Sequence, residues 1–200
     1  MKEMLKLTFA GIMMAASVAV APAQPQVQRV VGTIQGVDGR ILAVKTKDGE
    51  VKVNVTENVT VFGVVKRTLA DIKPGQFLGV GAMPQPDGSQ KAIRINIFPP
   101  GQNPNPGFRS WAGAPQGTMT NGTVDTSVAG VEGHTLSLKY KDGEKKIIVT
   151  PQTQIFASLP GDKSELKPGA AIVIVRAEKK PDGTLEAARV NVGRGGVVPQ

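Results

Sequence analysis

Four lysines form the charge arrangement in this sequence that most favours ligand binding: Lys45, Lys52, Lys139 and Lys146. The first two stand on either side of one Asp-Gly pair, and the other two stand on either side of a second. If each Asp-Gly pair is the loop of a two-residue hairpin, Lys45 faces Lys52 and Lys139 faces Lys146. Like charges directly opposite each other destabilise a strand pair by up to roughly 1 kcal/mol. An anion that bridges the ammonium groups would offset this repulsion; alternatively, the lysines protect exposed strands from edge-to-edge aggregation.

Residues suited to catalysis or metal binding are scarce. His134 is the only histidine and there is no cysteine, whereas transition-metal sites need several such ligands. A calcium loop needs oxygen ligands at alternate positions of one loop. Instead, single aspartates stand in separate predicted turns, which indicates turn formers: Asp48, Asp87, Asp142 and Asp182. The sequence therefore predicts no enzyme, no metal and no cofactor.

The elements that carry the four lysines occur twice in the chain. Residues 45–62 (KTKDGEVKVNVTENVTVF) are matched by residues 139–156 (KYKDGEKKIIVTPQTQIF), with identity at about half of the positions and no gap. A Lys-Pro-Gly turn and a Pro-Asp-Gly turn then follow in the same order in both copies. Two copies with the same turns in the same order indicate duplication of one domain.

The composition and the alternation of residues predict an all-β fold. Only 4% of residues are aromatic, while 24 glycines and 15 prolines indicate many turns. Val51, Val53 and Val55 alternate with polar residues, which is typical of a half-buried strand. A turn over residues 68–75 lets Leu69 and Ile72 reach a core. Six short strands are predicted in the first copy: 29–37, 41–47, 50–56, 59–65, 77–83 and 91–98.

Six short strands separated by turn signals favour a small closed barrel. We therefore expect two tandem OB-like barrels of about six strands each, in repeat 1 (24–98) and repeat 2 (117–200). Residues 99–116 are rich in proline, glycine and asparagine and are expected to form an extended linker. Its Phe108, Arg109 and Trp111 either attach the linker to a barrel or contact a sugar or a base.

Residues 1–23 have the features of a cleavable secretory signal peptide. Lys2 and Lys6 precede an apolar run over residues 7–20, and Ala21-Pro22-Ala23 is a small-x-small cleavage site. The run is about 14 residues, whereas a membrane span needs about 20. We therefore expect an exported, soluble protein in the periplasm. The net charge of +8 favours anionic partners such as polysaccharide, nucleic acid or lipid head groups.

Several of these motifs together resemble a known family. They are the hairpin KxKDGE, the turn [IL]KPG, the segment PDG[ST]xxAxR[IV]N[IV] and the junction Thr118-Met119-Thr120-Asn121. The chain is similar to exported proteobacterial proteins with tandem copies of the domain of unknown function numbered 5666. The resemblance implies OB-like barrels and brings no activity or site residues. Some relatives carry an automatic label as metal-transporter permeases, which conflicts with a sequence that has at most one, cleaved, span.

Two functions from different classes follow from the sequence. The first is a non-enzymatic binding or scaffold protein for an anionic polymer or ligand, held by the four lysines. The second is an envelope assembly protein whose sheet edges accept a strand of a partner protein. Specific nucleic-acid binding is not expected, because aromatic side chains for base stacking are scarce and the compartment is wrong.

Overall fold

The computed structural model describes residues 26–130 and 133–199. The predicted signal peptide (residues 1–23), on which the predicted localisation depends, lies outside the described residues. Two short 3₁₀ helices (Leu69–Asp71 and Lys163–Glu165) accompany the strands. The strands are β1 (Val27–Asp38), β2 (Ile41–Thr46), β3 (Gly49–Lys66), β4 (Phe77–Pro84), β5 (Gln90–Ile97), β6 (Gly107–Ser110), β7 (Thr118–Gly130), β8 (Gly133–Tyr140), β9 (Gly143–Val149), β10 (Gln154–Pro160), β11 (Ala171–Lys179) and β12 (Leu185–Gly193).

The all-β prediction is confirmed, with one difference in the first repeat. The strands predicted over 50–56 and 59–65 are one continuous strand of 18 residues, β3. The matching stretch of the second repeat is divided into β9 and β10. Pro151 stands in the second repeat where Glu57 stands in the first, and proline has no backbone N–H to offer to a strand ladder. This substitution explains why only one of the two long strands is interrupted.

Five strands form a closed barrel in the order β12-β11-β1-β2-β3, and β12 closes the circuit by pairing in parallel with β3. Alternate side chains point into it and form one apolar core, as the period of a strand requires. That core includes Ile34, Leu42, Val53, Ile174 and Val190, all with at most 1% of their surface exposed.

The strands of the barrel come from both repeats. β1 to β3 belong to the first copy, whereas β11 and β12 are the last two strands of the second copy. Conversely, β4 and β5 of the first copy pair with β7, β9 and β10 of the second copy. We call the strands β4 to β10 the second strand group. Its core includes Leu78, Ile95, Leu136 and Ile147.

The prediction of one barrel in each consecutive repeat is therefore not confirmed. The last strand of each repeat, β5 or β12, pairs in parallel with the long strand of the other repeat or its divided counterpart, and the strand before it pairs with the first strand of the other repeat. Because the two copies have similar alternation of apolar residues, either copy of these strands satisfies the same pattern, and the sequence does not say which one is used. The two repeats are intertwined, so they do not form consecutive units along the chain.

β3 and β10 form the junction between the closed barrel and the second strand group. They pair antiparallel, with Val64 opposite Ser158 at the centre and Phe62 opposite Pro160. Val64 and Ser158 are equivalent positions of the two repeats, since they are 94 positions apart, like residues 45 and 139. The junction thus has an approximate two-fold axis through the Val64–Ser158 pair.

The prediction that a turn over residues 68–75 lets Leu69 and Ile72 reach a core is confirmed. Ile72 is buried in a core and Leu69 packs against it, but that core belongs to the second strand group. The equivalent residue of the second repeat, Leu166, is buried in the core of the closed barrel. Each repeat therefore supplies a buried apolar side chain from this turn, as well as two strands, to the core built on the other repeat.

The linker is folded onto the second strand group. β6 pairs with β7, and the side-chain amide of Asn121 donates to the carbonyl of Pro104 at 2.8 Å. The ring of Trp111 packs over Gly81 of β4. Of the two interpretations of Trp111, attachment of the linker to the sheet is confirmed. In the described ranges, no helix has the length and apolar character needed to cross a membrane.

Candidate anion-binding site

The first predicted lysine pair has a different register from the expected one. The loop of the β2–β3 hairpin is Lys47-Asp48, so Lys45 lies opposite Glu50 and not opposite Lys52. The Thr46 side chain favours this loop, because its hydroxyl accepts from Asp48 N at 3.1 Å and donates to Gly49 O at 2.8 Å. The expectation that Lys45 faces Lys52 was wrong.

The second predicted pair has the same corrected register. Lys139 lies opposite Glu144, and Lys146 lies opposite Ser137. Lys139 also forms an ion pair with Asp125 at 3.0 Å, and the hydrogen bond from that carboxylate raises the pKa of Lys139. The structure therefore removes the like-charge argument for an anion at these lysines, and their role in ligand binding stays a prediction.

Other polar residues singled out in the sequence have structural partners. Asp87 accepts from the backbone N–H and the hydroxyl of Ser89, and Asp182 accepts in the same way from Thr184. Both aspartates are turn formers, as predicted. His134 lies on β8, opposite Val149 of β9. Within the described ranges, no group of three or more acidic or histidine side chains is placed to hold a metal ion.

Two arginines that the sequence analysis did not select occupy the junction between the repeats. Arg94 of β5 lies over the ring of Phe156, with its guanidinium carbon 4.3 Å from the ring centroid. Arg189 of β12 lies over the ring of Phe62 at 4.1 Å. Each arginine thus stacks on a phenylalanine of the other repeat. Attraction between a cation and the face of an aromatic ring favours this arrangement.

The strands place Arg94 and Phe156 next to each other on the face away from the core. β5 and β10 run parallel, with Ile95 opposite Ile155, and these two side chains are buried in the core. Because successive side chains of a strand alternate, Arg94 and Phe156 project from the opposite face. On the same face, Asn96 and Ser158 form a hydrogen bond at 3.1 Å.

The electrostatic environment of Arg94 differs from that of Arg189. The Nη1 atom of Arg94 is buried and has no hydrogen-bond partner among the described residues. Burial lowers the pKa of Arg94, and the nearby positive charge of Arg29 lowers it further. Burial also lowers the pKa of Arg189, with no contribution from a neighbouring charge, whereas Arg29 lies on the exposed first residues of β1. All three stay charged at neutral pH, because arginine is not deprotonated in proteins.

These arginines have no acidic partner in the part of the chain that the structure describes. No carboxylate of residues 26–130 or 133–199 forms an ion pair with Arg29, Arg94 or Arg189. Stacking uses the face of the Arg94 guanidinium and leaves its N–H edges, which is the part that binds a carboxylate or a phosphate. The accessible N–H groups of this half-buried, unpaired cation are therefore suited to an oxyanion.

A weak signal for this site is present in the sequence. Arg-Ile-Asn at residues 94–96 and Arg-Val-Asn at residues 189–191 recur at the end of each repeat. Repetition alone does not distinguish a surface strand from a site, and Phe156 is 62 positions from Arg94. The contact between them exists only because the repeats are intertwined, which the sequence did not reveal.

No protein-family model, curated protein or solved structure matches this chain. The resemblance to the domain of unknown function numbered 5666 therefore stays a prediction.

Proposed function

We propose that this chain is a non-enzymatic, exported periplasmic protein that binds an anion through Arg94 and Arg29. The observation that carries the proposal is the half-buried guanidinium of Arg94, which stacks on Phe156 and has no carboxylate partner among the described residues. An oxyanion bound to the other N–H groups of Arg94 supplies the missing negative charge and offsets the repulsion from Arg29.

The ligand class is an oxyanion carried on a larger molecule, and an anionic polysaccharide is the polymer we favour. The positive charge of the chain supports a polymeric ligand, since a net charge of +8 attracts polyanions at long range. In this proposal Lys45, Lys52 and Lys146 are peripheral contacts on the same polymer. We also propose that the closed barrel and the second strand group are both OB-like barrels, which remains an expectation from the sequence.

The test compares binding of a sulfated polysaccharide and of inorganic phosphate by the full chain and three variants. Arg94→Gln removes the charge and the stacked fork, and Arg94→Lys keeps the charge without the planar fork. Arg189→Gln is the matched control, because Arg189 stacks on its phenylalanine in the same way while no neighbouring charge lowers its pKa. We expect Arg94→Gln to weaken binding at least tenfold, Arg94→Lys to weaken it in part, and Arg189→Gln to leave it unchanged.

The salt dependence of binding gives a second readout. Exposed charges are screened over about 8–10 Å at physiological ionic strength, so contacts of peripheral lysines weaken with salt more than a partly buried site does. Equal losses for Arg94→Gln and Arg189→Gln would show binding by net charge alone. Unchanged binding of all three variants would exclude the site.

The second candidate function, assembly with an envelope protein through a sheet edge, has one supporting observation. Among the described strands, β6 pairs with β7 alone and therefore presents a free edge. A partner strand that adds to β6 would place its side chains beside Phe108, which is 41% exposed. Cross-linking in cells with a photoreactive residue at position 108 tests this candidate, with position 128 on another exposed strand as the control.

A further inference from the structure

The two halves of this chain, residues 26–98 and 118–199, hold each other through strand pairs that an identical chain can also supply. β1 to β3 need β11 and β12 to close the barrel, and β4 and β5 need β7 to β10. None of these pairings depends on the two halves being in one molecule. They depend only on the surfaces that the halves present.

The junction itself has the geometry of a contact between identical molecules. β3 and β10 pair antiparallel about the equivalent residues Val64 and Ser158. An interface in which the same segment faces itself across a two-fold axis is the commonest form of contact in homodimers. Here the duplicated chain makes that contact with its own second copy.

The linker is the only segment that must change when the halves come from different molecules. Its attachment to the second strand group rests on β6, the hydrogen bond from Asn121 to Pro104, and the packing of Trp111 on Gly81. Five prolines favour extended conformations in it: Pro99, Pro100, Pro104, Pro106 and Pro115. An extended linker can lead from β5 in one assembly to β7 in a neighbouring one.

We propose that two copies of this chain exchange residues 118–199 and form an intertwined dimer. In that dimer each closed barrel takes β1 to β3 from one chain and β11 and β12 from the other. Each Arg94 then stacks on Phe156 of the partner chain, so every anion site contains residues of both chains. The exchange repeats all native strand pairs between the two halves, which is why such a dimer forms at low cost once the halves separate.

The test uses two differently tagged preparations of the full chain. They are mixed in denaturant, refolded at concentrations from micromolar to several hundred micromolar, and separated by mass. We expect a dimer whose fraction rises with the refolding concentration, which carries both tags, and which stays a dimer for hours after dilution. Mixing the two preparations after folding gives no dimer with both tags. Monomer alone at every refolding concentration would overturn the proposal.

A linker deletion makes the exchange obligatory. Ile97 lies opposite Leu78 on one side of β4, and Thr118 lies opposite Ala82 on the other side. The connection between Ile97 and Thr118 therefore crosses two strand spacings and four residues along β4, a distance of about 17 Å. Removing residues 100–116 leaves three residues between them, which span at most about 14 Å. We expect this variant to be a dimer even at low concentration. A folded monomer would contradict the proposal, and if the variant does not fold, the tag experiment decides.

Discussion

The guanidinium of Arg194 forms two hydrogen bonds with the carboxylate of Glu165, from Nε to Oε2 at 2.8 Å and from Nη2 to Oε1 at 2.7 Å. Arg194 also donates to the carbonyl of Pro160 at 3.1 Å. The residue after the last strand is thereby fixed to the second 3₁₀ helix and to β10. In the first repeat, Asp71 stands at the position equivalent to Glu165. Its carboxylate accepts from the backbone N–H and the hydroxyl of Thr68, and Asp71 lines an open cleft of about 240 Å³.

This ion pair predicts a specific loss of stability in acid. The hydrogen bond from Arg194 holds the pKa of Glu165 below its ordinary value. A folded-state pKa below the unfolded one means that the stabilisation is complete above about pH 4.3 and is lost as the pH falls through the folded pKa. We expect Glu165→Gln to lower stability at pH 7 and to have a smaller effect near pH 3. Urea unfolding at both pH values measures this, with Glu57→Gln as the control.

Gly63 is predicted to be necessary for the observed position of the Arg194 side chain. A Cβ at position 63 would overlap the Nε and Cζ atoms of Arg194. Because the arginine side chain is flexible, Gly63→Ala should displace it and separate it from Glu165, at a cost of about 1–3 kcal/mol. Gly36→Ala is the control, since no atom lies within 4 Å of a Cβ built there. Equal stability of the two variants would show that Arg194 does not hold this position.

Gly81 is predicted to control the attachment of the linker. A Cβ at position 81 would approach Cζ2 and Cη2 of Trp111 to 2.8 Å, and a rigid ring cannot avoid it without moving the linker. Trp111 is the only tryptophan, so its fluorescence reports on the linker directly. We expect Gly81→Ala to shift the emission to longer wavelength, while Gly36→Ala leaves it unchanged. An unshifted spectrum would mean that Trp111 is not seated on Gly81.

Cleavage of the linker distinguishes intertwined repeats from consecutive ones. A protease site introduced between Gly101 and Asn105 allows the folded chain to be cut into two halves. Because the closed barrel needs strands of both halves, we expect the fragments to elute together at the mass of the intact protein and to separate only in denaturant. Fragments that separate in native buffer would show that each repeat folds alone.

The strands could be predicted from the sequence, because alternation of apolar residues and Gly-containing turns are local signals. Leu69 and Ile72 could also be identified as core residues from their spacing alone. The partners of the last two strands could not be predicted, because both copies have the same alternation of apolar residues and could pair with strands of either repeat. For the same reason the contact of Arg94 with Phe156 was missed, since it joins residues of different repeats.

The register of the β2–β3 hairpin also could not be predicted from the pattern of residues in the sequence. With Lys47-Asp48 as the loop, Val44 lies opposite Val51; with Asp48-Gly49 as the loop, it would lie opposite Val53. Both alternatives put valines on the same buried face, so burial does not choose between them. The hydrogen bonds of Thr46 favour the observed loop, but they depend on backbone geometry that the sequence does not give.

This register predicts which charges on the hairpin interact. Lys45 lies opposite Glu50 and should be coupled to it favourably by a few tenths of a kcal/mol, a typical value for a cross-strand pair of opposite charge. Lys45 and Lys52 should show a smaller, unfavourable coupling. Double-mutant cycles with Lys45→Gln, Glu50→Gln and Lys52→Gln, measured by urea unfolding at low salt, compare the two pairs. A repulsive Lys45–Lys52 coupling larger than the attractive Lys45–Glu50 coupling would restore the Asp48-Gly49 loop, and with it the reason for placing an anion between the lysines.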